Sequence, residues 1–183
     1  MKVLIISASP NDEGLTATCA RAAAEGIQAV GGQATLEPIA RKAIARCNQC
    51  KDGWGGCRPH HECFGIQDDF QALHQAVREA DAYVFVTPVY WGEMSESLKA
   101  FTDRLRRCEA PCGDDSALAD KPIICIAAAG GSGGGMISCL EQMERWLGHV
   151  RARRFDLIAI NRWNAAYKVD TVRAAAQAMV SAR

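Results

Sequence analysis

Residues Ala82 to Gly92, AYVFVTPVYWG, constrain the fold more than any other stretch of this chain. From Tyr83 to Pro88 every residue except Thr87 is apolar, and β-branched and aromatic side chains dominate. That composition reads as a strand buried on both faces, as in a parallel sheet. Pro88 cannot donate to a sheet ladder, so the strand is expected to stop there. Tyr90 and Trp91 follow, then Gly92 and a helix start. An open parallel sheet binds its ligands just beyond the carboxyl ends of its strands. Backbone amides and two aromatic rings at that place suit a flat, polar, aromatic ligand.

Around this strand, apolar runs alternate with amphipathic stretches. Strands are expected at Val3–Ile6, Ala34–Ile39, Pro122–Ala129 and Phe155–Ile160. Helices are expected over Thr16–Val30, from Asp68 or Asp69 through Ala80, from a Ser95 cap through Arg107, after Met136, and around Val172 to Met179. Five strands with helices between them imply a doubly wound α/β sheet. At 183 residues, with no linker or repeat, residues 1–183 are expected to form one domain with a cysteine-rich insertion at about 41–66.

Lysine plus arginine equals aspartate plus glutamate at 21 each, which argues against a nucleic-acid partner. No apolar segment reaches membrane-spanning length. The run Val3 to Ile6 is too short for an export signal, so the nine cysteines are expected in a reducing cytoplasm, where clusters favour metal or redox roles.

Three loops at the carboxyl edge hold the unusual residues. Ser7 to Thr16 is rich in hydroxyls and runs into a helix N-terminus, where free amides and the helix dipole favour a phosphate. Ser9, Thr16 and Thr18 can add hydroxyl donors, and Asp12 and Glu13 are expected to face solvent. Alone, this loop also reads as an ordinary capped turn. Thr87 to Gly92 forms the second loop, a ligand platform or a simple aromatic cover. Gly130 to Gly135, broken only by Ser132, forms the third and allows close approach of backbone to a ligand. Its spacing fits neither a dinucleotide fingerprint nor a Walker loop.

These motifs resemble the flavodoxin-like NAD(P)H-dependent FMN reductases, especially the cysteine-bearing branch that includes the iron–sulfur flavoproteins. The resemblance rests on SASPNDEGLT (7–16), CNQC with Cys57, Cys63 and Asp68-Asp69, TPVYWGEMSESLKAFTDR (87–104) and AAGGSGGG (128–135). It implies a three-layer flavodoxin-like fold with a five-stranded parallel sheet in order 2-1-3-4-5 and FMN at its edge. The FMN phosphate would sit on Ser7, Ser9, Gly14 and Thr16. The isoalloxazine would lie against Pro88, Val89, Tyr90 and Trp91, with Gly130, Gly131 and Gly133 on its other side. Leu15 and Asn11 depart from the asparagine and basic residue of many relatives. The resemblance also implies a homodimer or homotetramer, packed through the helix ending in Arg104, Arg106 and Arg107.

Cys47, Cys50, Cys57 and Cys63 are spaced C-x2-C-x6-C-x5-C. Four thiolates in a loop satisfy tetrahedral zinc or a [4Fe–4S] cluster equally well, and unliganded or redox-active thiols remain open. The iron–sulfur flavoproteins use a tighter run, with a cysteine where this chain has Gly53. Cys19, Cys125 and Cys139 read as buried apolar side chains, and Cys108 and Cys112 as packing or surface residues, with an approach to the cluster of a neighbouring subunit as the alternative. His74 and His149 have no evident partner.

The function this implies is an oxidoreductase in which FMN takes a hydride from NAD(P)H and passes electrons to a small-molecule or protein acceptor such as a quinone, flavin or metal. Two other readings stay open: an iron–sulfur flavoprotein carrying single electrons between proteins, and a flavin-free metal-binding interaction domain.

Overall fold

The computed structural model describes residues 1–182. In chain order the elements are β1 (Lys2–Ser7), α1 (Leu15–Ala29), β2 (Gln33–Pro38), the helical turns α2 (Cys50–Gly53) and α3 (Cys57–His60), α4 (Phe70–Glu79), β3 (Ala82–Tyr90), β4 (Glu93–Met94), α5 (Glu96–Glu109), β5 (Pro122–Ala129), α6 (Met136–His149), β6 (Arg153–Asn161) and α7 (Ala165–Ser181). Five parallel strands run in the order β2-β1-β3-β5-β6, the expected 2-1-3-4-5 winding of a flavodoxin-like three-layer fold. The sheet has a sixth strand that the sequence reading lacked. The two-residue β4 pairs antiparallel with the end of β3.

Alternation along the strands explains the two layers of helices. Leu4, Ile6, Tyr83, Phe85, Ile123 and Cys125 face one side, where α4, α5 and α6 pack. Val3, Ile5, Val84, Val86, Ile124 and Ile126 face the other, covered by α1 and α7. Successive strand residues point to opposite faces, so a strand apolar at both must be sandwiched. Tyr83 to Val86 are all fully buried. Phe85 anchors the first layer between Phe101 of α5 and Trp146 of α6, at ring-centroid distances of 6.3 and 5.5 Å.

Pro88 does not end its strand. It lies in register with Ala128, and β3 continues to Tyr90 before folding back. Val89 opposes Met94 and Tyr90 opposes Glu93, leaving Trp91 and Gly92 as a two-residue turn. Both turn residues have positive φ, 54° and 84°. Positive φ at both central residues is the hairpin geometry that matches strand twist, and glycine tolerates it without strain. The predicted loop is therefore a hairpin that projects Trp91 from the sheet edge. Ser95 caps α5 as expected, accepting from the Leu98 N–H. The start of α4 is held by Asp68, whose carboxylate accepts from Phe70 N–H at 3.0 Å, while Asp69 accepts instead from Ala43 N–H at 2.7 Å.

Candidate functional site

The carboxyl ends of β1, β3 and β5 lie side by side, because Ser7 is in register with Val86 and Pro88 with Ala128. The first loop is tied to that edge by Ala8 N–H donating to the Val86 carbonyl at 2.9 Å. Helix α1 starts at Gly14 with no side-chain cap and no acidic residue in its first turn. Its leading N–H groups and the positive end of its dipole are therefore not neutralised by a side chain of its own. Ser7, Ser9 and Thr16 are buried beside this terminus. Asp12 is turned away to Arg41, at 2.6 Å, and both side chains are exposed. The Thr18 hydroxyl donates to the Gly14 carbonyl at 3.2 Å, so it serves its own helix.

The other two loops are latched together. Ser138 of α6 donates from its hydroxyl to the Gly92 carbonyl at 2.9 Å, and Gln142 accepts from Met94 N–H at 2.9 Å. A Cβ on Gly135 would stand 2.8 Å from the Gly92 Cα, and φ there is +77°. Only glycine permits both that approach and that backbone. The result is an open cleft of about 520 Å³ whose lining includes Val89, Trp91, Ser132, Gly134 and Ser138. Trp91 is wholly exposed at its mouth and Tyr90 is partly so. Thr87 is fully buried; its hydroxyl accepts from Ser95 N–H at 3.0 Å, joining β3 to the cap of α5. That hydroxyl thus supports the edge from beneath.

A fourth loop, after β6, escaped the sequence reading. Asn161 accepts from Trp163 N–H and Asn164 N–H, both at 3.1 Å, which fixes the turn. The Trp163 ring then packs directly on Gly133, where a Cβ would collide with it. The Arg162 guanidinium sits 4.6 Å above the same ring. A tryptophan directly after a carboxyl strand end was the available signal.

This edge can now be set beside known proteins. Residues 1–163 match the model of the NADPH-dependent FMN reductase family. The chain belongs to that family. It is 30% identical over 146 residues to an iron–sulfur flavoprotein of Methanocaldococcus jannaschii, covering 80% of this chain and 71% of that protein. It is 29% identical over 150 residues to an iron–sulfur flavoprotein of Methanosarcina thermophila, covering 80% and 73%. An NAD(P)H:quinone oxidoreductase from Methanothermobacter marburgensis has the same fold, with a TM-score of 0.72 at 20% identity over 98% and 96% of the two chains. Family membership makes the chain a flavin-dependent oxidoreductase with iron–sulfur flavoprotein relatives.

The cysteine segment of this FMN reductase relative lies beneath α5. Cys47, Cys50, Cys57 and Cys63 line one small recess of about 20 Å³, and Cys108 of α5, fully buried, lines it too. Sequence spacing gave no hint of the fifth thiol. The sulfurs converge without reaching ligand spacing: among the described residues, no three His, Cys, Asp or Glu side chains are grouped to hold a metal. The Cys57 thiol donates to the Trp54 carbonyl at 3.0 Å, and the Cys47 sulfur accepts from Gln49 N–H at 3.4 Å. Burial pushes the Cys57 and Cys108 thiols up, with neighbouring thiols adding to the rise. Burial likewise holds Cys19 and Cys139 at about 12, in keeping with packing roles.

Two expectations about α4 and α5 change. Arg104, expected on a helix face that packs against a second subunit, is instead 1% exposed within its own chain, its guanidinium 2.6 Å from Asp68 and stacked 4.2 Å over Phe70. His74 does have a carboxylate partner, Glu109, at 2.5 Å, and both are buried. Burial works to raise the Glu109 carboxyl, but His74, the Ala117 N–H and the Ser116 hydroxyl outweigh it and hold it below the usual range. Burial works against Asp68 in the same way and is overcome by Arg104 and by the Ala45 and Phe70 amides, so its carboxyl also lies low.

Among the described residues no helix is long and apolar enough to cross a membrane.

Proposed function

We propose that the protein binds FMN at the carboxyl edge and uses NAD(P)H to deliver electrons to a quinone, flavin, metal or protein acceptor. The observation that carries this reading is the uncapped α1 terminus aligned with the latched hairpin and glycine loop. The residues fit the cofactor. The amides at the start of α1 with Ser7, Ser9, Gly14 and Thr16 suit a phosphate. Pro88, Val89, Tyr90 and Trp91 offer an apolar and aromatic wall; Gly130 and Gly131 offer an opposing backbone clear of side chains, and Gly133 one covered by the Trp163 ring. When bound, FMN supplies the hydride-accepting and electron-donating ring. The chain's part is to orient it, present amides to its polar edge and leave one face open beside Trp91. Among the described residues no acid–base pair lines the cleft, and hydride transfer to a flavin needs none.

A second reading adds a thiolate-held centre, a [4Fe–4S] cluster ahead of zinc, on Cys47, Cys50, Cys57 and Cys63. Four thiols on one recess and the named relatives support it. The donor chemistry fits. The sulfurs are engaged by protein groups in this arrangement, so loading requires the loop to rearrange, as metal sites commonly couple to local folding. A cytoplasmic homodimer or homotetramer completes the proposal. Light scattering at micromolar concentration tests the assembly, and a monomer contradicts it.

The deciding experiment adds NADPH or NADH to the FMN-loaded protein without oxygen. Rapid bleaching of the flavin supports the enzyme. Bleaching only by a reduced ferredoxin supports an electron carrier. Failure to take up FMN at all leaves the flavin-free metal-binding domain.

A further inference from the structure

Helix α5 joins the two regions. Its cap, Ser95, is bonded to Thr87 beneath the flavin edge, and its last turns reach the cysteine recess. Two of its arginines, one turn apart, aim into that recess. Arg107 donates to the Gly53 carbonyl and lies over the Trp54 ring. Arg104 reaches further in. Its Nη1 donates to Asp68 at 2.6 Å and to the Ala45 carbonyl at 3.2 Å, which fastens both ends of the cysteine segment to α5. Its Nη2 donates to the Cys63 sulfur and to the Ile66 carbonyl, both at 3.4 Å. Its Nε is buried with no partner among the described residues.

An arginine needed only to pin the loop would be satisfied by Asp68 and backbone carbonyls. This one also spends a donor on a thiol and keeps another unpaired, which is costly in a buried site. Thiolate sulfurs are acceptors with negative charge, and a fixed guanidinium is the cation that suits them best without losing its proton. Hydrogen bonds to cluster sulfurs and nearby net charge both set the reduction potential of an iron–sulfur centre. Partners of the ligating atoms tune a metal site as much as the ligands do.

We propose that Arg104 is the positioning residue of the cysteine recess, donating a charge-assisted hydrogen bond to the Cys63 sulfur and raising the reduction potential of the centre held there. The inference rests on the reading of the recess as a thiolate-held iron–sulfur site. Reduction adds one electron and hence one negative charge to the centre. A cation at the sulfur stabilises that reduced state, so removing the cation makes the potential more negative.

The test uses the full chain, reconstituted with ferrous iron and sulfide without oxygen and titrated with dithionite as the one-electron donor. Iron and sulfide content, the visible spectrum and the midpoint potential are measured for wild type, Arg104→Gln, Arg104→Lys and the control Arg106→Gln. FMN content reports whether each variant is folded. The potential is expected to fall in the order wild type, Arg104→Lys, Arg104→Gln, with Arg106→Gln at the wild-type value. If Arg104→Gln does not load, Arg104→Lys carries the test and must still lie below wild type. An unchanged potential in a loaded Arg104 variant overturns the inference. So does a failure of both Arg104 variants to load while they retain FMN, because Arg104 would then only anchor the loop. A wild-type protein that takes up no iron and sulfide overturns the iron–sulfur reading itself, a result separable from either of the others.

Discussion

The proposed flavin edge and the cysteine recess are built from different materials. The edge is backbone: three strand ends in register, a helix terminus, and glycines pressed against one another. The recess is side chains: four thiols of a loop held under α5 by Arg104, Arg107 and Asp68, facing a fifth on α5 itself. A backbone site is positioned by the sheet and follows from topology. A side-chain site follows from contacts between residues tens of positions apart. It is also the one whose proposed loading must reshape its loop.

Gly135→Val should have the largest effect on FMN binding. The side chain meets Gly92 backbone at a positive φ, a strain of about 2–3 kcal/mol. FMN affinity is expected to fall by roughly 100-fold in a fluorescence titration. Iron uptake by the recess should not change, and a parallel loss there would break the separation of the two regions.

Glu109→Gln comes next, because it leaves the buried His74 without its carboxylate. Breaking a buried pair costs about 3 kcal/mol, readable by urea denaturation at neutral pH. The sign of the pH effect follows from the lowered folded pKa of Glu109. Its stabilisation is present in full above the ordinary carboxylate value, about 4, and is lost as pH falls through the lower folded value. The variant should accordingly lose less stability than wild type over that acid range. An acid limb as steep as wild type's would place the linkage elsewhere, on Asp68 among other groups.

Trp91→Ala is expected to weaken FMN binding about fivefold, or to slow turnover, since an aromatic contact contributes roughly 1 kcal/mol. Its thermal midpoint should not move, because the ring is wholly exposed. Unchanged binding and turnover would remove Trp91 from the platform. The smallest effect is reserved for Asp12→Ala. Its ion pair with Arg41 is solvent-exposed and worth no more than about 0.5 kcal/mol. A marked loss of FMN affinity in that variant would mean that the loop geometry depends on the pair.

The same contrast governs what was legible in the sequence. Strand and helix placement followed from apolar periodicity, which the two-layer packing of Leu4/Ile6 against Val3/Ile5 repeats in three dimensions. The meeting of the three loops at one edge followed because topology brings the strand ends together. The extension of β3 past Pro88 did not, since proline composition suggested a stop and the hairpin depends on the φ values of Trp91 and Gly92. The cysteine spacing was visible, but Cys108 and Arg104 were not. Their roles arise from contacts such as Arg104 to Cys63, 41 residues apart, which no local pattern encodes. His74 and Glu109 escaped for the same reason, being 35 residues apart. Trp163 carried a readable signal in its position just past a strand end.

Incubation of the purified chain with FMN, removal of unbound flavin by desalting, and a visible absorption spectrum decide whether the sheet edge is a flavin site. Flavin bands that travel with the protein, and bleach when reduced nicotinamide is added without oxygen, are the expected result. A colourless protein after that incubation would contradict it.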